Sequence, residues 1–245
     1  MKDNFSAQSE LYAKYRPVYP QELFDCITSF VTAKKLVWDC GTGNGQTAAA
    51  LSKYFDKVFA TDISEKQIEN AVQEKNIIYA LESAEHSSLA SNSVDMVTIS
   101  QALHWFDFDK FYDEVKRVSK QEGIIAAWTY NLLQVDSITD KIINHYHFET
   151  LKKYWDKERS HVDNHYSDIP FPFRAIATPD FSIKVNWNLA DLEGYLNTWS
   201  ALRNFISINN FNPVDDLLDQ LKKNWPAGEL RPVQFPLTIK MGYVH

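Results

Sequence analysis

Cysteine and glycine are scarce in this chain, basic charge is in deficit, and long apolar runs are missing. The two cysteines, Cys26 and Cys40, show no Cys-x-x-Cys spacing and no histidine cluster beside them. A disulfide framework and a zinc finger are therefore excluded. Lysine and arginine number 25 against 32 aspartates and glutamates, a formal net charge of −7. A broad electrostatic grip on nucleic-acid phosphates is not expected from such a balance. No segment approaches the roughly 18 apolar residues of a membrane span, and the start, MKDNFSAQSE, has no apolar signal core. These absences predict a soluble, cytoplasmic chain with neither a nucleic acid nor a membrane as partner. They leave its oligomeric state open. Of the 245 residues 44% are hydrophobic and 14% aromatic, which rules out wholesale disorder.

Along the chain, YAKYRPVYP sets tyrosines and Arg16 around Pro17 and Pro20, which forbid a continuous helix and favour extended backbone. Residues 21–32 read as an amphipathic helix. Short apolar runs at 36–40, 57–62, 77–83, 94–100 and 124–130 read as strands. Helices are expected between them at 47–55, from a Ser64–Gln67 capping box to about residue 74, and after the cap Asp107. Near-continuous apolar strands alternating with helices predict a parallel sheet covered on both faces. Beyond 131 the pattern turns helical and aromatic, with late strands at 181–187 and 233–244 and helices at about 190–206 and 213–224. The expectation is one α/β domain over 1–245. It comprises an N-terminal lid and helix (1–33), a cofactor-binding core (34–130), a helical substrate cap with a sixth strand (131–232) and a final strand (233–245).

Three of the seven glycines sit at 41, 43 and 45, in DCGTGNGQT, between a strand and a helix start. Such a turn brings backbone close to a ligand and offers free N–H groups. The dinucleotide fingerprint needs glycine at position 46, where Gln46 stands. Asp39, at the mouth of the turn, would repel a pyrophosphate and attract an ammonium or sulfonium. A ligand with a positive end, a carboxylate, a ribose and a base fits, and S-adenosylmethionine is that ligand. Asp62 ends the second strand, where an acid accepts hydrogen bonds from ribose hydroxyls. Ser83-Ala84-Glu85 follows the third strand, and SQALHWF places Gln101, His104 and Trp105 at the ligand-binding edge after the fourth.

Together DCGTGNG, Asp62, SAE at 83–85 and SQALHWF resemble the ordered motifs of class I S-adenosylmethionine-dependent methyltransferases. YAKYRPVYP, ALHWFD and YLNTWSALRNF resemble a narrower branch, small-molecule methyltransferases similar to trans-aconitate methyltransferase. The resemblance implies a Rossmann-like, seven-stranded, mostly parallel sheet with one antiparallel strand, helices on both faces and a helical insertion after the fifth strand. It implies that Gly41, Thr42 and Gly43 cradle the methionine moiety, with Asp39 near its amino group and Gln101 also at the cofactor. Asp62 and Ile63 would flank ribose and adenine, and Ala84 and Glu85 would meet the adenine edge. Tyr15, Arg16 and Tyr19 would form a lid, Arg16 pairing either the cofactor carboxylate or an acidic substrate. Ser83 stands where many relatives carry an acid, and Cys40 where an aliphatic residue is commoner.

Methyl transfer from a sulfonium to a carboxylate needs no general base, since the nucleophile is already ionised. A small acidic metabolite methylated at carboxylate oxygen is the expected reaction. Methylation at carbon, nitrogen or hydroxyl, and a non-catalytic cofactor-binding role, remain the alternatives. His104 is the candidate catalytic group, with a structural role as the competing reading. Tyr19, Trp105, Trp199 and Arg203 are candidates for the acceptor pocket, Trp199 equally for the core. His161 and His165 have a four-residue spacing, but without further ligand types no metal site is expected.

Overall fold

A computed structural model describes residues 15–245. The polar start MKDNFSAQSE and the residues up to 14 lie outside it, including the first part of the expected lid. Strands β1 (Leu36–Cys40), β2 (Lys57–Asp62), β3 (Ile77–Leu81), β4 (Val94–Ser100) and β5 (Ser119–Tyr130) pair in parallel in the order β3-β2-β1-β4-β5. The last strand, β8 (Arg231–Tyr243), runs antiparallel to β5. This is the Rossmann-like methyltransferase architecture, with helices on both faces.

Side chains alternate across a strand, and β1 shows the consequence. Val37 faces one core with Val58, Met96, Ala126 and Trp128, while Trp38 faces another with Val97, Ile99, Ile125 and Ala127. The first core is closed by Leu23, Phe24 and Ile27 of α1 (Gln21–Ser29) and by Ala48 and Leu51 of α2 (Gln46–Leu51). The second is closed by Phe111, Val115 and Val118 of α4 (Phe108–Val118), whose N-cap Asp107 accepts from Lys110 N at 3.4 Å. Fully burying each such side chain contributes roughly 1.5–3 kcal/mol. Pro20, extended at ψ 145°, starts α1 where its missing N–H costs nothing.

Several local expectations are corrected. The edge position of the sheet, beyond β8, is held by the two-residue β6 (Arg174–Ala175) in the proline-rich loop. The stretch expected to fill it, β7 (Ser182–Trp187), pairs instead with residues 231–236 of β8 as a ribbon leaving the main path. The sheet thus has eight strands rather than seven. The third strand stops at Leu81, two residues early. Ser64 precedes α3 (Glu65–Glu69) without a side-chain cap, and its N–H, which a capping box would give to Gln67, goes to Asp62 Oδ1 at 2.9 Å. The helix expected over 190–206 breaks into α7 (Leu189–Leu196) and α8 (Ser200–Asn209), since Trp199 is extended at ψ 131° and buried. A further helix, α9 (Val214–Leu221), follows. After β5 the chain forms α5 (Ser137–His145), a π turn over Tyr146–Thr150 and α6 (Arg159–Asp163).

Candidate active site

The glycine-rich turn takes left-handed backbone at Gly41, Gly43 and Gly45, with φ of 69°, 56° and 77°. Two of these positions have no room for a side chain. A Cβ at Gly41 would stand 2.6 Å from Ala102 Cβ, and one at Gly45 would collide with the Tyr79 hydroxyl. Gly43 differs, for its nearest atom would be Gln67 Oε1 at 3.9 Å. The space its missing Cβ leaves opens into a cleft of about 1020 Å³, counting its open mouth.

The floor of the cleft is the C-terminal edge of β1, β2 and β4. Asp62 is the pivot. Its Oδ2 accepts the Gly43 N–H at 2.8 Å and its Oδ1 the Ser64 N–H at 2.9 Å, so one carboxylate fixes the turn to the next strand end. A carboxylate is an acceptor only, the chemistry that a ligand's hydroxyl groups need. Of the residues singled out from sequence, Arg16, Tyr19, Gly41, Thr42, Gly43 and Asp62 line this cleft together with Ile63, Ala84, Gln101 and Trp105.

Six others do not line it. Asp39 is fully buried beneath the turn, accepting from Thr42 Oγ1 at 2.6 Å and Thr98 Oγ1 at 2.8 Å. Burial pushes its carboxyl up to about 7 against the pull of those hydroxyls. Glu85 Oε1 turns away to accept the Asp107 N–H at 3.1 Å. His104 is buried with Nδ1 2.9 Å from the Tyr166 hydroxyl, and burial lowers its pKa to about 3. It is a neutral ring outside the cleft wall. Trp199 is core, packed on Tyr146, His147, Trp155 and Tyr195. Tyr15 and Arg203 border a separate hollow on α7 and α8, where the Tyr15 ring lies flat on Gly194. His161, in α6, pairs with Asp168 at 3.0 Å, while His165 lies past the helix end at φ 54°. They share no helix face.

The sequence reading missed Glu82, Tyr130, Phe106, Ser64 and Gln67 in the cleft wall. Glu82 could have been found: β2 and β3 pair Asp62 with Leu81, so an acid one residue later reaches the same edge. Running the strand on to residue 83 hid it. Tyr130 carries the signal that a strand-end residue on the ligand-binding edge always carries.

A nucleotide-type turn beside two strand-end acids, with a buried carboxylate below and an Arg16–Tyr130 wall opposite, defines a class I methyltransferase site. Residues 38–127 match the methyltransferase domain family. A protein of Dictyostelium discoideum described as a proposed methyltransferase is 34% identical over 96% of this chain and 92% of its own. The structure of a proposed type II methyltransferase from Anaeromyxobacter dehalogenans superposes with a TM-score of 0.88 at 33% identity, covering 94% of this chain and 98% of that one. A Saccharomyces cerevisiae protein described as an S-adenosylmethionine-dependent methyltransferase is 29% identical over 63% of this chain and 56% of its own. The chain belongs to the methyltransferase family, and its cofactor is S-adenosylmethionine.

The residues present fit that cofactor. Gly43 leaves a cradle a Cβ would fill. Asp62 sets a carboxylate on the cleft wall, as ribose hydroxyls require, and Asp39 beneath the turn fixes the Thr42 hydroxyl. S-adenosylmethionine, when bound, supplies a methyl group on a sulfonium that needs no further activation. The chain's own task is to bind, orient and exclude water.

Proposed function

We propose that this methyltransferase acts on a small carboxylic acid and delivers the methyl group to a carboxylate oxygen, in the cytoplasm. The observation that carries this reading is Arg16, the one cationic side chain among the described residues lining the cleft. It donates to the Tyr130 hydroxyl and, at 3.4 Å, to Thr198 O, and its guanidinium lies 5.5 Å from the Tyr195 ring centroid. A planar cation held against aromatic rings suits a planar carboxylate. The absence of a histidine or lysine from the described lining favours an acceptor that is a nucleophile without deprotonation. The resemblance to trans-aconitate methyltransferase-like enzymes points the same way.

In this reading Gly41, Thr42 and Gly43 hold the methionine moiety, Asp62 takes the ribose hydroxyls, and Ile63, Ala84 and Glu82 border the adenine. Asp39 acts through Thr42. Residues 131–232 form the cap over the acceptor, with Tyr19 and Trp105 as its apolar walls. The test is turnover with labelled S-adenosylmethionine and a panel of mono-, di- and tricarboxylic acids, hydroxy acids, phenols and amines. Base-labile methyl esters are expected from the acids. A base-stable product, methylated on carbon, nitrogen or hydroxyl, overturns the carboxylate-oxygen assignment.

A further inference from the structure

One part of the cleft wall is held by hydrogen bonds between two strand ends that cofactor binding does not account for. Gln101 follows β4 with φ 55°, left-handed backbone that costs a non-glycine residue of order 1 kcal/mol. Its N–H donates to Trp128 O at 2.9 Å. Its Oε1 receives the Thr129 hydroxyl at 2.6 Å, and its Nε2 stands 3.5 Å from Tyr130 O. Nearby, the Tyr166 hydroxyl lies 2.9 Å from His104 Nδ1. Tyr166 is fully buried and also left-handed, at φ 53°, directly after His165 at φ 54°. Left-handed backbone kept at Gln101 marks a geometry that the surrounding fold enforces.

The protons of this run have one consistent arrangement. A threonine hydroxyl carries a single proton, and at 2.6 Å that of Thr129 goes to Gln101 rather than to Tyr130 O at 3.4 Å. The opposite amide orientation would set Gln101 Oε1 against the Tyr130 carbonyl, acceptor facing acceptor. Nε2 is thus fixed on the Tyr130 side. It has two protons, of which that carbonyl takes at most one. Gln101 lines the cleft, so the second is presented to its occupant. Tyr130 also receives Arg16 at its hydroxyl, which brings the amide and the guanidinium to the two polar ends of one residue.

We infer that Gln101 Nε2 is a second, uncharged donor of the acceptor site, acting with Arg16 on the acceptor's anionic group, and that Thr129 is the positioning residue that holds its amide in that orientation. This rests on the acidic-acceptor reading. Arg16 supplies charge, which any anion satisfies. A fixed neutral donor supplies direction, and a site built around such a donor rejects a ligand that leaves it unpaired.

The test is calorimetric titration of the protein saturated with S-adenosylhomocysteine, using acetate, succinate and trans-aconitate as probes. The best-binding acid should lose about tenfold or more in Gln101→Glu, where a donor becomes an acceptor of like charge. Thr129→Val should lose about three- to tenfold, and Thr129→Ser should return to within about twofold of wild type. Affinity for S-adenosylhomocysteine should stay within about twofold throughout, and melting curves identify any variant that fails to fold. An acid that binds Gln101→Glu as well as wild type overturns the inference. So does an equal loss of acid and S-adenosylhomocysteine, or a Thr129→Ser no better than Thr129→Val. If wild type binds none of the acids, the acidic-acceptor reading falls and takes the inference with it.

Discussion

The half of the cleft proposed for the cofactor and the half proposed for the acceptor are built by different means. In the first, neighbouring strand ends do the work. Gly43 and Ser64 are tied to Asp62, and Thr42 to Asp39, by bonds that span 2 to 19 residues. In the second, Arg16 reaches Tyr130 across 114 residues and Thr198 across 182, and His104 reaches Tyr166 across 62. A local site is set as soon as its strands pair. A site assembled from distant segments depends on the whole cap being docked, which lets the acceptor end vary while the cofactor end stays the same.

The largest effect expected from this contrast is at Asp62. Asp62→Ala removes the acceptor of two backbone N–H groups and of the proposed ribose contacts, so S-adenosylhomocysteine affinity should fall about 100-fold, or about 3 kcal/mol. Calorimetry reads it directly. A loss below tenfold would break the contrast, because the cofactor would then be held from the cap as well. The glycines sharpen it next. Gly43→Ala adds a methyl group where the fold has space, so it should cost only about 1 kcal/mol of stability for the left-handed backbone, yet weaken the cofactor at least tenfold. Gly45→Ala meets the Tyr79 ring and should cost about 3 kcal/mol of stability. Thermal melts with and without S-adenosylhomocysteine separate the two.

The same contrast explains what was legible in the sequence. Strand identity, the glycine turn and Asp62 were readable because each depends on a few consecutive residues. Glu82 was missed by a strand end placed two residues late, which is an error of boundary and not of type. Trp199 and Arg203 looked like a pocket pair at helical spacing. The helix break at Trp199 sends one into the aromatic core and the other to the α7–α8 hollow, and no local pattern announces that break. His104 sits in the motif beside a true wall residue, Trp105. Its burial is decided by Tyr166, whose approach only the folded cap creates.

The two halves should also respond to pH in opposite directions. Burial raises Asp39 from 3.8 to about 7, so the fold holds a proton there that the unfolded chain releases, and this group's contribution to stability is lost as pH rises through that window. Burial lowers His104 from 6.5 to about 3, so below 6.5 the unfolded chain gains a proton that the fold refuses, and stability falls as pH falls. Burial lowers His147 as well, outweighing its bond to Asp163. Each slope can approach about 1.4 kcal/mol per pH unit, and between 3.8 and 6.5 they oppose each other. Asp39→Asn should therefore uncover a steeper loss of stability towards acid, and His104→Gln a steeper loss towards neutral pH. Urea unfolding from pH 5 to 7.5 would show it, and identical slopes in the two variants would mean that neither group titrates as its surroundings require.

The smallest expected effect tests whether the cap is anchored as locally as the cofactor turn. Asn188 accepts from Ala190 N at 2.8 Å and Asp191 N at 3.1 Å, while Asp191 Oδ2 accepts from Asn188 N at 3.0 Å, a reciprocal box at the start of α7. That helix carries Gly194, on which the Tyr15 ring rests next to Arg16. Asn188→Ala should cost about 1 kcal/mol of stability, as loss of an N-cap does. Because α7 supports the acceptor wall alone, KM for the acceptor should rise about twofold while S-adenosylhomocysteine affinity holds. If both affinities fell together, the two halves would be one cooperative unit, and the division between a local and a distant site would describe contacts without describing energetics.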